Sequence, residues 1–474
     1  MIEIFRELNG IPCPSHHEER VADYLCRFAE RLGLPYRRDR ENCVVISKPA
    51  SPGHEDAEPV VLLNHMDMVC VGMRNPLAEP VEAYVENGWM KARGTSLGAD
   101  NGIGLAMALA VLESNDVVHG QLEVVTTTNE EDGMTGAANM SKDFFKGRRV
   151  INLDSEDYDT ITTGSAGACI QYHSIPMERR TAPKGKHRWY RIVFEGGRGG
   201  HSGVDIDKGR CSAVVPAWAL LAALYNEFDF EVSHIRIGEA NASIASSAEM
   251  VVCVPSGECS EFVKQQQFLM NEWLREEFGN GDPDMRCTIT KTERQETVIN
   301  GKAFDTLMNC LEQIPQGVVK RGERREENGE SRVETSNNVG RVITEDDHIL
   351  VTTHTRSFSD AGMQKLSREI ASAFTSRGAE SRVVMEAPAW SENPESDFLR
   401  LTSDTFNDVL GWRPRMVTRH FVLEAGYLVR TYPGIEIASI GPRILEPHSA
   451  NERVELSTVG DIWCVLKELL RRLA

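Results

Sequence analysis

No stretch of the 474-residue chain strings together the roughly 20 apolar residues that a membrane-crossing helix requires, so no membrane partner is expected. Positive charge is scarce too: 52 Lys and Arg stand against 71 Asp and Glu, a formal net charge of −19. So acidic a chain does not easily assemble the basic face that a nucleic-acid partner needs. Paired cysteines are lacking. The 11 cysteines are scattered singly from Cys13 to Cys464 without a C-x-x-C, which argues against a thiolate zinc site or a disulfide frame and suits reduced thiols. Solenoid repeats and low-complexity tracts are absent. The opening "MIEIFRELNGIPCPSHHEER" has acid early and no basic segment leading into an apolar one, so a secretory signal is not expected and the expected compartment is the cytoplasm.

What is present is a globular composition, 41% hydrophobic and 26% charged, in a chain long enough for two domains. Up to about residue 160, helical and strand patterns alternate: the helix "EERVADYLCRFAERLG", the apolar run "PVVLLNHMD", the helix "NGIGLAMALAVLESN", the strand "LEVVTTTNEE", another helix, and the strand "RVINLDSED". Such alternation predicts a mostly parallel mixed sheet flanked by helices. After the basic connector "ERRTAPKGKHR" the texture changes to antiparallel strands and long helices, an inserted α+β module. The charged run at 320–332, "KRGERREENGESR", reads as an exposed loop or hairpin tip. The terminal "IEIASIGPRILEPHSANERVELSTVGDIWCVLKELL" returns to a strand, a polar loop and a helix, and completes the first sheet. The expected division is an α/β domain over 1–183 and 387–474 and an inserted α+β domain over 184–386.

Several apolar strands end in metal-type ligands: His65 and Asp67, Glu130 and Glu131, and Asp154, with His448 in the loop after the last strand. Sites in open α/β sheets form at the carboxyl ends of strands, so these side chains converge on one crevice. Asp100, in "TSLGADNGIG", opens a helix at the same edge. Singly, each has a bland reading as a capping or solvated residue. Together, two imidazoles and several carboxylates without thiolate suit Zn²⁺, Co²⁺ or Mn²⁺ in a catalytic site. "GGRGGHSG" is a poor phosphate loop, because Ser202 stands where the third glycine belongs and no Lys-Ser/Thr pair follows.

Segments along nearly the whole chain, among them "IPCPSHHEE", "NHMDMV", "KARGTSLGADNGIG", "NEEDGMTGA", "INLDSE", "GGRGGHSG", "ETSNNVG", "VLEAG" and "SIGPRILEPHS", resemble the aminoacyl-histidine dipeptidases, a group of the cocatalytic di-zinc aminopeptidase/carboxypeptidase-type hydrolases. The resemblance implies a di-zinc peptidase catalytic domain with an inserted lid and dimerisation domain. It implies that His65 and Asp154 hold one metal, that Glu131 and His448 hold the other, and that Asp100 bridges them, ahead of a cis peptide to Asn101. Two divalent ions are thus expected, Zn²⁺ first, with Co²⁺ or Mn²⁺ as alternatives. Asp67 would accept the second N–H of the His65 imidazole. Glu130 would be the general base, taking a proton from the metal-bridging water and passing it to the leaving amine. From the lid, His201 would polarise the scissile carbonyl and Arg356 would clamp the substrate carboxylate; Glu424 would sit near the free amine. Lid closure would exclude water, and the lid would pair two copies as a homodimer.

The chain departs from this pattern in two substrate-contact stretches. "NASIAS" offsets Asn241 by one residue and places alanine where relatives have proline, and "HFVLE" alters the approach to Glu424. Both stretches bear on substrate contacts and not on metal ligands, so the expected activity stays hydrolysis of short unblocked peptides such as Xaa-His. An N-acyl-amino-acid deacylase or carboxypeptidase on the same scaffold, and a non-catalytic peptide- or metal-binding protein, are the alternatives.

Overall fold

The structure, a computed structural model, describes the chain apart from residues 228, 256–258, 326–328 and 330 and the side chains of 259 and 260. Its backbone forms two compact units. One comprises Met1–Ser165, Trp390–Thr418 and Leu423–Ala474; the other comprises Ala166–Ala389 and Arg419–Val422.

An eight-stranded sheet organises the first unit. Its order is Tyr36–Arg38, Val44–Lys48, Leu122–Thr127, Val60–His65, Arg149–Asn152, Glu436–Ser439, Thr160–Ser165, Arg415–Arg419. Val60–His65 lies parallel to both neighbours, and Glu436–Ser439 lies parallel to Arg149–Asn152. Antiparallel pairs flank this parallel centre. Four consecutive parallel strands deliver their carboxyl ends to one edge, and that places the residues after Thr127 and Asn152 beside His65. Val60–His65 is buried along its whole length, as expected of a strand covered on both faces.

The helix Ala99–Glu113 is apolar all round, and Ile103, Leu105, Met107, Leu109, Val111 and Leu112 are buried in the main core. Gly104 lets it press on the carbonyl of Leu153, where a Cβ would collide. The late helix Leu456–Leu473 packs its apolar face into the same core. Where another helix was expected between the strands at 122–127 and 149–152, the described helical structure is the single turn Thr135–Ala138. Gly136 there lies against Thr128 and Cys43, where a Cβ would collide.

The second unit is built on a nine-stranded sheet whose described pairings are antiparallel, with the helices Val214–Glu227, Cys259–Phe278, Gly301–Gln313 and Asp360–Thr375. It starts at Ala166, earlier than 184, because the strand Gly167–Pro176 pairs with His348–Ser357 and Glu380–Ala387 in this sheet. The basic connector is internal to the unit: Arg179–Thr181 pairs with Thr297–Ile299. The run at 320–332 is not simply a loop. Gly317–Arg325 and Ser331–Thr344 are paired strands, and the tip expected between them falls on residues outside those described.

Candidate metal centre

The parallel edge of the first unit gathers seven of the residues singled out above. His65 Nε2 lies 3.1 Å from Asp100 Oδ1 and 3.3 Å from Asp154 Oδ1. His448 Nε2 lies 3.3 Å from Asp100 Oδ2 and 2.9 Å from Glu131 Oε2. Asp100 therefore spans the cluster, one oxygen toward each imidazole, with Asp154 on the His65 side and Glu131 on the His448 side. Backbone geometry aims it. Asp100 departs from helical dihedrals (φ −83°, ψ 110°), its peptide to Asn101 is cis, and it follows Gly98 at φ +69°. Gly98 also lies against the end of the Met68 side chain, which a Cβ would displace.

His65 donates from Nδ1 to the backbone carbonyl of Asp67 at 3.0 Å, which leaves Nε2 for the cluster. The Asp67 carboxylate does more here than its expected task. Its Oδ1 is 3.5 Å from the imidazole, while it accepts the N–H groups of Glu130 (3.0 Å) and Glu131 (3.2 Å) and the hydroxyl of Ser15 (2.7 Å). It thus holds the turn that carries both glutamates. Glu18 supports the same turn by accepting the N–H of Asn129, which sits at φ 54°. Ser15 and Glu18 escaped the sequence reading, although both lie in the matched stretch "IPCPSHHEE"; a loop residue's hydrogen-bonding role leaves no periodic signal.

Electrostatically the cluster has too many acids for its imidazoles. Burial would depress His65, but Asp154, Asp100 and Asp67 hold its pKa well above the usual range. Hydrogen bonds to Asp100 and Glu131 raise His448 to about 11. Burial, against the pull of His65, lifts Asp154 to about 7. Burial also raises Glu130 and Glu131. Glu131 Oε1 and Asp154 Oδ1 are buried without hydrogen-bond partners, and among the described residues no lysine or arginine pairs with any acid of the cluster. Crowded carboxylates, unpartnered oxygens and two imidazoles in one pocket fit divalent cations. Donor atoms of His65, Asp100 and Glu131 already lie within 4.8 Å of one another.

Glu424 is buried in the same unit, with Oε2 accepting from the Thr127 hydroxyl at 2.7 Å and Oε1 unpartnered. Burial, reinforced by Asp154, pushes its carboxyl up to about 8.

The remaining candidates belong to the second unit. His201 Nδ1 accepts the N–H groups of Gly203 (3.1 Å) and Val204 (3.0 Å), so its proton sits on Nε2. Burial and Arg356 depress this imidazole to about 4, which keeps it neutral. Arg356 is 3% exposed, has Nη2 3.4 Å from His201 Nε2 and reaches the Ser202 hydroxyl at 3.2 Å. Among the described residues it forms no ion pair with an acid. Asn241 donates to the Tyr172 hydroxyl at 2.9 Å. Two further histidines unmarked in the sequence, His354 and His420, are close by: Ser202 lies 3.4 Å from His354 Nδ1, and Ser336 lies 2.8 Å from His420 Nε2.

A parallel-centred α/β sheet that presents imidazoles and carboxylates at one edge defines a metal-dependent hydrolase. Comparison with known proteins narrows the class. Residues 61–472 match peptidase family M20/M25/M40. The chain is 32% identical over 475 residues, covering 99% of it and 97% of the relative, to the cytosol non-specific dipeptidase of Escherichia coli (strain K12). The crystal structure of aminoacylhistidine dipeptidase from Vibrio alginolyticus superposes with a TM-score of 0.89 at 31% identity, covering 99% of this chain and 96% of that one. Aminopeptidase PepT from Bacillus cereus shares the fold, with a TM-score of 0.60 at 15% identity over 100% and 97% of the two chains. The chain belongs to peptidase family M20/M25/M40 and is a metallopeptidase of the dipeptidase kind.

Proposed function

We propose that this protein hydrolyses unblocked dipeptides, those of the Xaa-His type among them, with two divalent cations held by His65 and Asp154, by Glu131 and His448, and by Asp100 between them. The observation that carries the reading is the split of Asp100, one oxygen toward each imidazole. Zn²⁺ suits this donor set, and Co²⁺ or Mn²⁺ would be tolerated by it. When bound, such cations supply Lewis acidity toward the scissile carbonyl and lower the pKa of water.

The chain's own groups account for the rest. Glu130, whose carboxylate makes no hydrogen bond among the described residues while its N–H is held by Asp67, takes the proton of the attacking water and returns it to the leaving amine. Asp67 fixes the turn from which Glu130 acts. Glu424 offers its unpartnered Oε1 to the substrate's free ammonium. On the second unit, the Nε2–H of His201 donates to the carbonyl oxygen as charge develops there, and Arg356 takes the terminal carboxylate; two adjacent donors without an acid partner suit those acceptors. Asn241 is a further substrate contact. In this reading 166–389 is the lid and dimerisation unit; the pairing of two copies rests on the family resemblance. We place the protein in the cytoplasm: the curated relative is named for the cytosol, and no described helix is long and apolar enough to cross a membrane.

The test is steady-state hydrolysis of Ala-His, Ala-Gly and their N-acetyl forms by native and Glu130→Gln protein. The expected outcome is turnover of free dipeptides only, with kcat lowered about 10²–10⁴-fold in the variant at unchanged metal content. Native activity in Glu130→Gln would remove the general base, and rapid cleavage of acetylated substrates would make the protein a deacylase.

A further inference from the structure

Glu452 is 3% exposed and forms no ion pair among the described residues. Its carboxylate is instead saturated by four backbone N–H groups from a segment some 350 residues away. Oε2 accepts from Leu97 (2.6 Å) and Gly98 (2.9 Å), and Oε1 accepts from Ala99 (2.7 Å) and Asp100 (3.2 Å). These are the groups that open the helix Ala99–Glu113, where a nearby Ser or Asp would ordinarily serve. The local alternative is spent elsewhere: Ser96 Oγ donates to the Val69 carbonyl at 2.6 Å and accepts from Val71 N–H. Gly98, at the cap position, has no side chain to offer.

The place of Glu452 in the chain is informative. It closes the loop between the short strands Ile444–Leu445 and Arg453–Glu455, and His448 stands four residues before it. That loop is braced from within. Ser449 Oγ donates to the Glu446 carbonyl at 2.8 Å, Glu452 N–H to the Ser449 carbonyl at 3.2 Å, and Arg453 pairs with Glu446 at 2.7 Å. A braced loop moves as a piece, so pinning Glu452 also pins His448. Support is needed there, because the His448 side chain is 47% exposed whereas His65 is 1% exposed. His65 is fixed by a buried central strand; His448 has only its loop.

We propose that Glu452 is a positioning residue that sets the spacing between Asp100 and His448, and thereby the affinity of the cation they share with Glu131. It touches neither substrate nor metal. It holds the peptide groups from Leu97 to Asp100 on one side and the His448 loop on the other, so that the 3.3 Å approach of Asp100 Oδ2 to His448 Nε2 is fixed before any ion arrives. The inference rests on the metal assignment made above. Groups that orient metal ligands are commonly worth 10–100-fold in affinity.

The experiment titrates metal-free native protein, Glu452→Gln, Glu452→Asp and Glu452→Ala with Zn²⁺ by calorimetry and with Co²⁺ by visible absorption, and records the melting temperature of each metal-free form. Native protein is expected to take two equivalents. In the variants the first equivalent should bind within a few-fold of native and the second about 10–100-fold more weakly, with an altered Co²⁺ spectrum. Glu452→Gln, which keeps one oxygen for two N–H groups, should be less affected than Glu452→Ala. Should Glu452→Ala not fold, Glu452→Gln decides. Variants that hold the second equivalent at native affinity with an unchanged spectrum, and lose only melting temperature, would make Glu452 a helix cap and overturn the inference. Native protein that takes up no pair of cations would instead overturn the metal assignment, and this inference with it.

Discussion

Replacing Asp67 separates two accounts of how the centre is held. In the structure its carboxylate accepts the N–H groups of Glu130 and Glu131 and the Ser15 hydroxyl, while the His65 imidazole bonds the Asp67 backbone carbonyl. Asp67 is 2% exposed, so N–H groups stranded by its removal would find little water. A hydrogen bond to a charged group contributes about 1.5–3 kcal/mol, so Asp67→Ala forfeits about 3–6 kcal/mol across the two amides. Asp67→Asn keeps one acceptor and turns an NH₂ toward the other amide, for a loss of about 2–4 kcal/mol. If the strain is released by a shift of the Glu130–Glu131 turn, kcat for Asp67→Asn should fall about 10²-fold or more, since each 1.36 kcal/mol is a factor of ten. KM should hardly change, and the cation on the His65 side should stay bound, because the backbone carbonyl that orients His65 survives. Ser15→Ala removes one hydrogen bond to the same carboxylate and should cost about tenfold, less than Asp67→Asn. The assay is steady-state kinetics at saturating Zn²⁺ with metal content measured on the same samples. Asp67→Asn with kcat within threefold of native would refute the reasoning. A loss confined to metal content would mean that Asp67 acts on His65 and not on the turn.

Exhaustive chelation should abolish activity and lower the melting temperature, because crowded buried acids then face each other without a cation; saturation at 1,000 times Kd restores about 4 kcal/mol per site. A melting temperature indifferent to chelator and Zn²⁺ would contradict the metal assignment. His173 gives a pH prediction for the second unit: it is fully buried, stacks on Phe374 at 4.0 Å and bonds Ser381 and Thr353. Burial lowers its pKa to about 4. Below about pH 6.5 the unfolded chain takes up this proton and the native one does not, so stability should fall as pH drops, by about 2 kcal/mol between pH 7 and pH 5. Urea unfolding of native and His173→Phe protein at both pH values should show that difference. Equal pH sensitivity in the two proteins would exclude His173 as its source.

Much of the site was legible from sequence because chemistry and topology coincide. Short apolar runs that break into His65, Glu130 with Glu131, and Asp154 mark the ends of parallel strands, and parallel strands end on one side. The change of texture near residue 180 pointed to a second body. Yet the strand Gly167–Pro176 belongs to that body, because sheet membership is decided by hydrogen bonds to strands far along the chain. Periodicity carries no trace of such partners. The same reason hid Ser15, which donates its hydroxyl to Asp67, and Glu18 and Glu452, which accept N–H groups from distant segments.

By itself, then, the sequence determined the acidic character, the alternation that builds a parallel-centred sheet, and the inventory of imidazoles and carboxylates, since these depend on residue type and short-range order. Only the tertiary structure decided that Asp100 turns one oxygen to His65 and the other to His448, that Asp67 serves the glutamate turn, and that one buried carboxylate ties the last loop to the first helix of the centre. Hydrogen bonds are short and directional, and which donor reaches which acceptor is settled only when segments hundreds of residues apart are packed into one core.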